Sequence, residues 1–161
     1  MSDAAFSTPD LADAQPRARA LLLPWRDFGA RSVFSGRAVT IKCFEDNSLV
    51  KELVQSPGDD RVIVVDGGQS VRRALLGDQL AARAAENGWS GLVIAGMVRD
   101  VEILETLDLG IKALGSCPHK TDKRGEGQRD IPVDIGGATV NPGEFVYADR
   151  NGVLVSTDAL R

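Results

Sequence analysis

The stretch RVIVVDGGQSVRRALLGDQLAARAAENGWSGLVIAGMVRD, residues 61–100, holds two unbroken apolar runs separated by one amphipathic segment. Val62 to Val65 and Gly91 to Ala95 show no polar alternation and are closed by Asp66-Gly67-Gly68 and by Gly96. Runs of this kind predict strands covered on both faces, as in parallel sheets. Between them, after the short segment RRALL, Asp78 stands where it can cap a helix running through Gln79 to Asn87. Leu80, Ala81, Ala84 and Ala85 would face inward, with Asn87-Gly88 as the stop.

The pattern extends in both directions. Upstream, GRAVTIKCF from Gly36 reads as a strand, and Asp46 or Asn47 precedes SLVKELV, whose Leu49, Val50, Leu53 and Val54 share one helical face. The SPGDD turn at 56–60 then leads into the first apolar run. Downstream, Asp100 heads a predicted helix carrying Val101, Leu104 and Leu107 and closing at Gly110. The resulting βαβαβα order predicts an α/β layer arrangement with a central, largely parallel sheet and right-handed crossovers.

The flanks are less regular. Residues 1–35, broken by Pro16 and Pro24, read as a short helix and a connecting segment on the surface. GSCPHKTDKRGEGQRD at 115–130 is nearly devoid of apolar residues and reads as a loop. Beyond it, turn signals at Gly136-Gly137, Pro142-Gly143 and Asn151-Gly152 predict β-hairpins that supply a second β-layer. No room is left for a C-terminal helix, and residues 1–161 read as a single domain.

Composition narrows the function classes. With 161 residues, 43% hydrophobic and 26% charged, the chain has the make-up of one globular domain with an ordinary core. Its net charge of −4 provides no basic field for a phosphate backbone, which argues against direct nucleic-acid binding. Cys43 and Cys117 are far apart and His119 is the single histidine, so no zinc set can be assembled and free thiols in a reducing compartment are expected. The N-terminus carries Asp3, Asp10 and Asp13 and lacks the basic, apolar design of a secretory signal, which predicts a cytoplasmic protein. The apolar runs are far shorter than the ~20 residues of a spanning helix, so no membrane span is expected.

Two acids and one arginine are candidates for chemistry. Asp78 and Asp100 both sit at helix starts, where each could cap its own helix for roughly 1 kcal/mol. Alternatively, two helix N-termini at one sheet edge form a crevice suited to an anion, in which an acid can hold a metal. Arg99, directly after an apolar run, could grip a carboxylate with two parallel hydrogen bonds or remain an ordinary surface cation. Gly67, Gly68, Gly77 and Gly96 either admit a ligand close to the backbone or simply serve turns. Neither GxGxxG nor GxxxxGK[ST] occurs, so the nucleotide-binding fingerprints are missing.

The combination is more specific than its parts. Gly77-Asp78, twenty intervening residues and Arg99-Asp100 resemble the D-x20-R-D signature of the class II pyruvyl aldolases. VTIKCFEDNSLVKELV at 39–54, VVDGGQSVRRALLGDQLA at 64–81, GLVIAGMVRD at 91–100, LGIKALGSCP at 109–118 and GGATVNPGEFVYADRNGVLVS at 136–156 resemble the regulator-of-ribonuclease-E-activity A proteins, over about residues 25–157. This resemblance implies a swivelling β/β/α domain, a homotrimer with sites at subunit contacts, and a divalent cation, Mg²⁺ or Mn²⁺, ligated by Asp100. It also implies that Asp78 holds metal-bound water, that Arg99 contacts the pyruvyl unit, and that the backbone of Gly77, Asp78, Gln79 and Leu80 receives the substrate carboxylate. Catalysis would then fall to Arg99 and Asp78, on a small 2-keto acid.

Bottom-up chemistry agrees, because a hard cation chelated by a 2-keto acid needs few protein carboxylates. The resemblance implies two reactions through a pyruvate enolate: retro-aldol cleavage of 4-hydroxy-4-methyl-2-oxoglutarate and decarboxylation of oxaloacetate. One departure stands out: the full aldolases resemble longer chains whose C-terminal helix brings acids to a neighbouring site, whereas this sequence ends at STDALR. The same resemblance carries a reading of another class, a non-catalytic inhibitor of ribonuclease E. A third, methyl transfer in menaquinone biosynthesis, finds no methyl-donor motif.

Overall fold

The computed structural model describes residues 5–161, so Asp3 lies outside the described residues. The chain opens on α1 (Thr8–Ala14), capped by the Ser7 side chain, and continues through two short strands, β1 (Arg19–Ala20) and β2 (Arg26–Asp27). The long β3 (Phe34–Lys42) and α2 (Ser48–Val54) lead to β4 (Val62–Asp66), β5 (Ala74–Leu76) and α3 (Asp78–Glu86). Then come β6 (Gly91–Ala95), β7 (Met97–Val98), α4 (Val101–Leu104), β8 (Gly110–Ala113) and β9 (Gly115–Ser116). The chain closes with β10 (Gln128–Arg129), β11 (Val133–Ile135), β12 (Ala138–Val140), β13 (Phe145–Asp149) and β14 (Gly152–Ser156).

The two apolar runs are the centre of a nine-stranded sheet, in which β3, β4, β6 and β8 pair in parallel. Antiparallel strands extend it on both sides: β13, β14 and β1 beyond β3, and β2 beyond β8. Because successive side chains of a strand point to opposite faces, the run Val62-Ile63-Val64-Val65 serves two cores at once. Ile63 and Val65 pack with Ile41, Leu92, Ile94 and Ile111 beneath Val50, Leu53 and Val54 of α2 and Ala81 and Ala84 of α3. Val62 and Val64 face the other way, onto Val133, Ile135, Val140, Val146, Ala148, Val153 and Val155. The α/β class, the parallel centre and the second β-layer are therefore as expected.

Several local expectations are corrected. The segment around RRALL is not a mere connection, since Ala74–Leu76 form β5. The helix after Asp100 is a single turn ending at Leu104, and Gly110 begins β8 instead of closing that helix. The reason is packing: the Phe34 ring lies over the paired glycines Gly91 and Gly110, where a Cβ would sit 2.6 and 2.1 Å from ring atoms. Pro142-Gly143 makes a turn but no hairpin, because β12 pairs with β11 and β13 with β3 and β14. The N-terminal connection is not wholly superficial either, as Leu21 and Phe28 are buried. The 115–130 loop carries two short strands, β9 and β10.

Candidate functional site

A second, smaller sheet positions the site. Beyond Gly96 and Leu114 the chain leaves β6 and β8 and resumes as β7 and β9, which pair in parallel with β5 in the order β5-β7-β9. Their registers place Leu76 beside Val98 and Val98 beside Ser116. The next residues of three distant segments, Gly77-Asp78, Arg99-Asp100 and Cys117-Pro118, thus emerge side by side. Backbone hydrogen bonds continue the ladder past the strand ends, from Arg99 N to Leu76 O at 2.9 Å and from Cys117 N to Val98 O at 2.9 Å. The spacing from Asp78 to Arg99 is accounted for by α3, β6 and the bend that carries the chain into β7.

The two acids do not cap as expected. Gly77 is the N-cap of α3 and Asp78 its first helical residue, with Asp78 Oδ1 accepting from Gln79 N at 2.9 Å. Asp100 occupies the N-cap position of α4 but makes no cap hydrogen bond there. Its backbone is left-handed, φ 59° and ψ 41°, a conformation uncommon for a residue with a Cβ. Its Oδ2 instead accepts from Asp78 N at 3.1 Å, at the start of the other helix. Arg99 lies alongside, with Nε 3.9 Å from Asp100 Oδ2 and Nη1 donating to Pro118 O at 3.3 Å.

Gly77 is required at this point by proximity rather than by its torsions. A Cβ there would lie 2.8 Å from Asp100 Oδ2 and 3.5 Å from Arg99 Nε, inside the space between the two helix starts. Of the first three N–H groups of α3, that of Asp78 serves Asp100 and that of Gln79 serves Asp78, whereas that of Leu80 has no hydrogen-bond partner among the described residues. The unpaired donor and the positive end of the helix dipole suit a carboxylate.

These residues line one cleft of ≈ 220 Å³, which gathers Gly77, Asp78, Gln79, Leu80, Arg99 and Asp100, the six residues of the motif, whereas the other candidate glycines, Gly67, Gly68 and Gly96, do not line it. It also contains residues that sequence reasoning missed: Asn47, the N-cap of α2, Lys51 from the middle of that helix, Ala74 from β5, and Lys120 and Lys123 from the 115–130 loop. Nothing in their local pattern marks them, because a lysine on an exposed helix face or in a polar loop is ordinary. Four cationic residues, Lys51, Arg99, Lys120 and Lys123, line the cleft together with two acidic ones, Asp78 and Asp100. A local excess of positive charge in a chain of net charge −4 points to an anionic ligand.

The donor set also bears on a metal. No histidine or cysteine lines this cleft, and no group of three His, Cys, Asp or Glu side chains able to hold a metal occurs among the described residues. That excludes a closed zinc-type cage but fits a hard cation that takes one or two carboxylates and completes its shell with water and a chelating ligand. Asp100 Oδ1 accepts no hydrogen bond from a described residue, which leaves it open for such a role. Cys43 and Cys117 are buried and free. Burial, aided by the nearby negative charges of Asp46 and Asp66, pushes the Cys43 thiol up to about 12, so it is not a nucleophile. No helix among the described residues is long and apolar enough to cross a membrane.

Comparison with known proteins shows the family. A relative from Ectopseudomonas mendocina named "Putative 4-hydroxy-4-methyl-2-oxoglutarate aldolase" is 56% identical over 156 residues, 96% of each chain. The solved structure of the RNA-processing inhibitor RraA from Thermus thermophilis superposes with a TM-score of 0.93 at 42% identity, covering 96% of this chain and 94% of that one. A structure from Geobacillus kaustophilus described as S-adenosylmethionine: 2-dimethylmenaquinone methyltransferase matches with a TM-score of 0.92 at 41% identity, covering 96% and 97%. The family model described as Aldolase/RraA matches residues 8–155, and with that span, this fold and relatives of this similarity, the chain belongs to the RraA-like family.

Proposed function

We propose that this chain is a divalent-metal-dependent carbon-carbon lyase acting on small 2-keto acids through a pyruvate enolate. The observation that carries the reading is the Asp100 carboxylate, turned by a left-handed backbone away from its own helix to the start of α3, beside Arg99 in a cleft of excess positive charge. In this reading Asp100 holds Mg²⁺ or Mn²⁺, which when bound supplies Lewis-acid polarisation of the 2-keto oxygen. The unpaired N–H of Leu80 and the α3 terminus hold the adjacent carboxylate. Arg99 stabilises the negative charge that gathers on the keto oxygen as the C–C bond breaks.

The two reactions make different demands on the protein. In oxaloacetate decarboxylation the C3–C4 bond breaks, CO₂ leaves, its bonding electrons form the enolate, and a proton then adds at C3 to give pyruvate. No base is needed. Retro-aldol cleavage of 4-hydroxy-4-methyl-2-oxoglutarate must also lose the C4 hydroxyl proton, and the cleft's carboxylates are limited to Asp100, committed to the cation, and Asp78. The aldolase-named relative aligns over 96% of its own length, so a protein without a long additional C-terminal segment bears that name. Asp78 is then the acceptor for the hydroxyl proton, directly or through one water.

The test is a coupled pyruvate-release assay on both substrates, with and without chelator. Metal-dependent turnover is expected, with the larger kcat/KM for oxaloacetate, because the aldol route depends in addition on proton transfer to Asp78, a step for which a well-placed general base contributes about 10²–10⁴-fold. A clear preference for the aldol substrate would show that the base is fully functional. The second reading, an inhibitor that binds ribonuclease E, draws on the 42% identity to the RNA-processing inhibitor. Absence of metal-dependent turnover together with co-purification of the nuclease would favour it. Both readings take the working unit to be a homotrimer, which light scattering tests as three chain masses.

A further inference from the structure

The far wall of the cleft is held by two side chains that the reaction does not use. Asp46 is fully buried and accepts four hydrogen bonds, none from a cationic group. Its Oδ1 takes Ser48 N at 2.9 Å and Ser48 Oγ at 2.5 Å, and its Oδ2 takes Arg124 N at 2.8 Å and Glu126 N at 3.1 Å. Ser48 Oγ in turn accepts from Gly125 N at 3.0 Å. The Asp46 side chain thus bonds the start of α2 to a loop segment nearly eighty residues further along the chain. Next to it, Asn47 donates from Nδ2 to Leu75 O at 2.9 Å and accepts at Oδ1 from Thr121 Oγ1 at 2.7 Å.

These contacts converge on the cleft. Leu75 lies two residues before Gly77, and Thr121 lies between Lys120 and Lys123. The loop is further tied by His119 O, which accepts from Ala74 N at 2.7 Å, and by Lys120 O, which accepts from Arg73 Nη1 at 3.2 Å. Burial alone would raise the Asp46 carboxyl, but the hydrogen bonds from Ser48, Arg124 and Glu126 outweigh it and hold the group down at about 2. At neutral pH it is an ionised acceptor, and hydrogen bonds to such a group are roughly twice as strong as neutral ones. A buried carboxylate is costly to keep without a cation, and here its return is the placement of two loop lysines.

We propose that Asp46 and Asn47 are positioning residues that fix Lys120 and Lys123 across the cleft from Asp78 and Arg99, so that the chain selects 2-keto acids bearing a second carboxylate. The inference rests on the 2-keto acid reading above, whose two substrates both carry a second carboxylate, and adds the residues that impose that selection. Two stable probes isolate it: 2-oxoglutarate and 2-oxopentanoate, identical in length and differing only in the terminal carboxylate.

Calorimetric titration in the presence of Mg²⁺ should show wild type binding 2-oxoglutarate about tenfold or more tightly than 2-oxopentanoate, the discrimination expected of a paired charge. Asp46→Asn should reduce that ratio to within about threefold by weakening only 2-oxoglutarate. Thr121→Val, which cuts the Asn47 contact and leaves the buried charge in place, gives the same direction and serves if Asp46→Asn does not fold. The double variant Lys120→Ala/Lys123→Ala should lose the ratio too, and adding Asp46→Asn to it should change nothing more. Weakening of both acids alike by Asp46→Asn, or a further drop in the ratio in the lysine-free background, would reduce Asp46 to a structural residue and overturn the proposal. Oxaloacetate turnover by the wild type separates the two levels. Turnover with equal affinity for both probes keeps the lyase and removes the positioning role of Asp46 and Asn47; discrimination that depends on Asp46 without turnover keeps that role and removes the lyase. Failure to bind either acid removes both.

Discussion

Two clusters of charge in this molecule are built from the same residue types and used in opposite ways. Lys112 of β8 is fully buried, its Nζ 2.9 Å from Asp27 Oδ1 and donating to the Asp149 carbonyl. The Asp149 carboxylate is committed as well, accepting from Thr8 N and Thr8 Oγ1 at 2.7 Å each and from Asn151 N at 2.8 Å. Burial pushes its pKa up, but these hydrogen bonds prevail and hold it below the usual carboxylate value. The lysine ties β2 and β8 to the end of β13, and the carboxylate adds the start of α1. In the cleft, by contrast, Asp100, Arg99 and Leu80 N are partly exposed or unpaired, and four cationic residues line the same space as two acids. Charge whose hydrogen-bonding capacity is closed within the protein serves structure; charge with capacity left over is available to a ligand.

Three substitutions probe that contrast. The largest effect is expected from Asp100→Ala, which removes the proposed cation ligand and the acceptor for Asp78 N–H: metal-dependent pyruvate release should fall by about 10³-fold or more with the fold intact. Circular dichroism, metal titration and the coupled assay check it together, and normal metal affinity would remove Asp100 from the ligand role. Arg99→Lys keeps the charge but loses the planar fork, so kcat/KM should fall on the order of 10²-fold while metal binding persists. Wild-type kinetics would make Arg99 an ordinary surface cation. Lys112→Met should do the reverse, leaving kcat/KM unchanged and lowering unfolding free energy by about 1–3 kcal/mol in urea titration, less than the roughly 3–5 kcal/mol of a fully buried broken pair because Asp27 keeps access to water. A loss of activity without loss of stability would blur the distinction between the clusters.

The parallel centre was legible because burial on both faces leaves a direct mark: β4 and β6 contain no polar residue before Asp66 and none in Gly91–Ala95. The hairpins at Gly136-Gly137 and Asn151-Gly152 were legible from turn chemistry. The small β5-β7-β9 sheet was not, since strands of two or three residues are too short to show a period and their pairing is between distant segments. Asp78, Arg99 and Asp100 were found through the spacing of one motif, whereas Lys51, Lys120 and Lys123 carried no signal.

The sequence by itself thus determined the layer order, the two-faced apolar strands, the family and the six motif residues of the cleft, because each follows from local periodicity or from a run of residues contiguous in the chain. Only the tertiary structure decided that Asp100 serves the start of α3 instead of its own helix, that four cationic residues line one cleft with two acids, and that Asp46 and Asn47 hold the loop bearing two of them. The physical reason is that each of these is a contact between segments some twenty to eighty residues apart, set by strand register and backbone torsion, and neither quantity is written in any local pattern of residues.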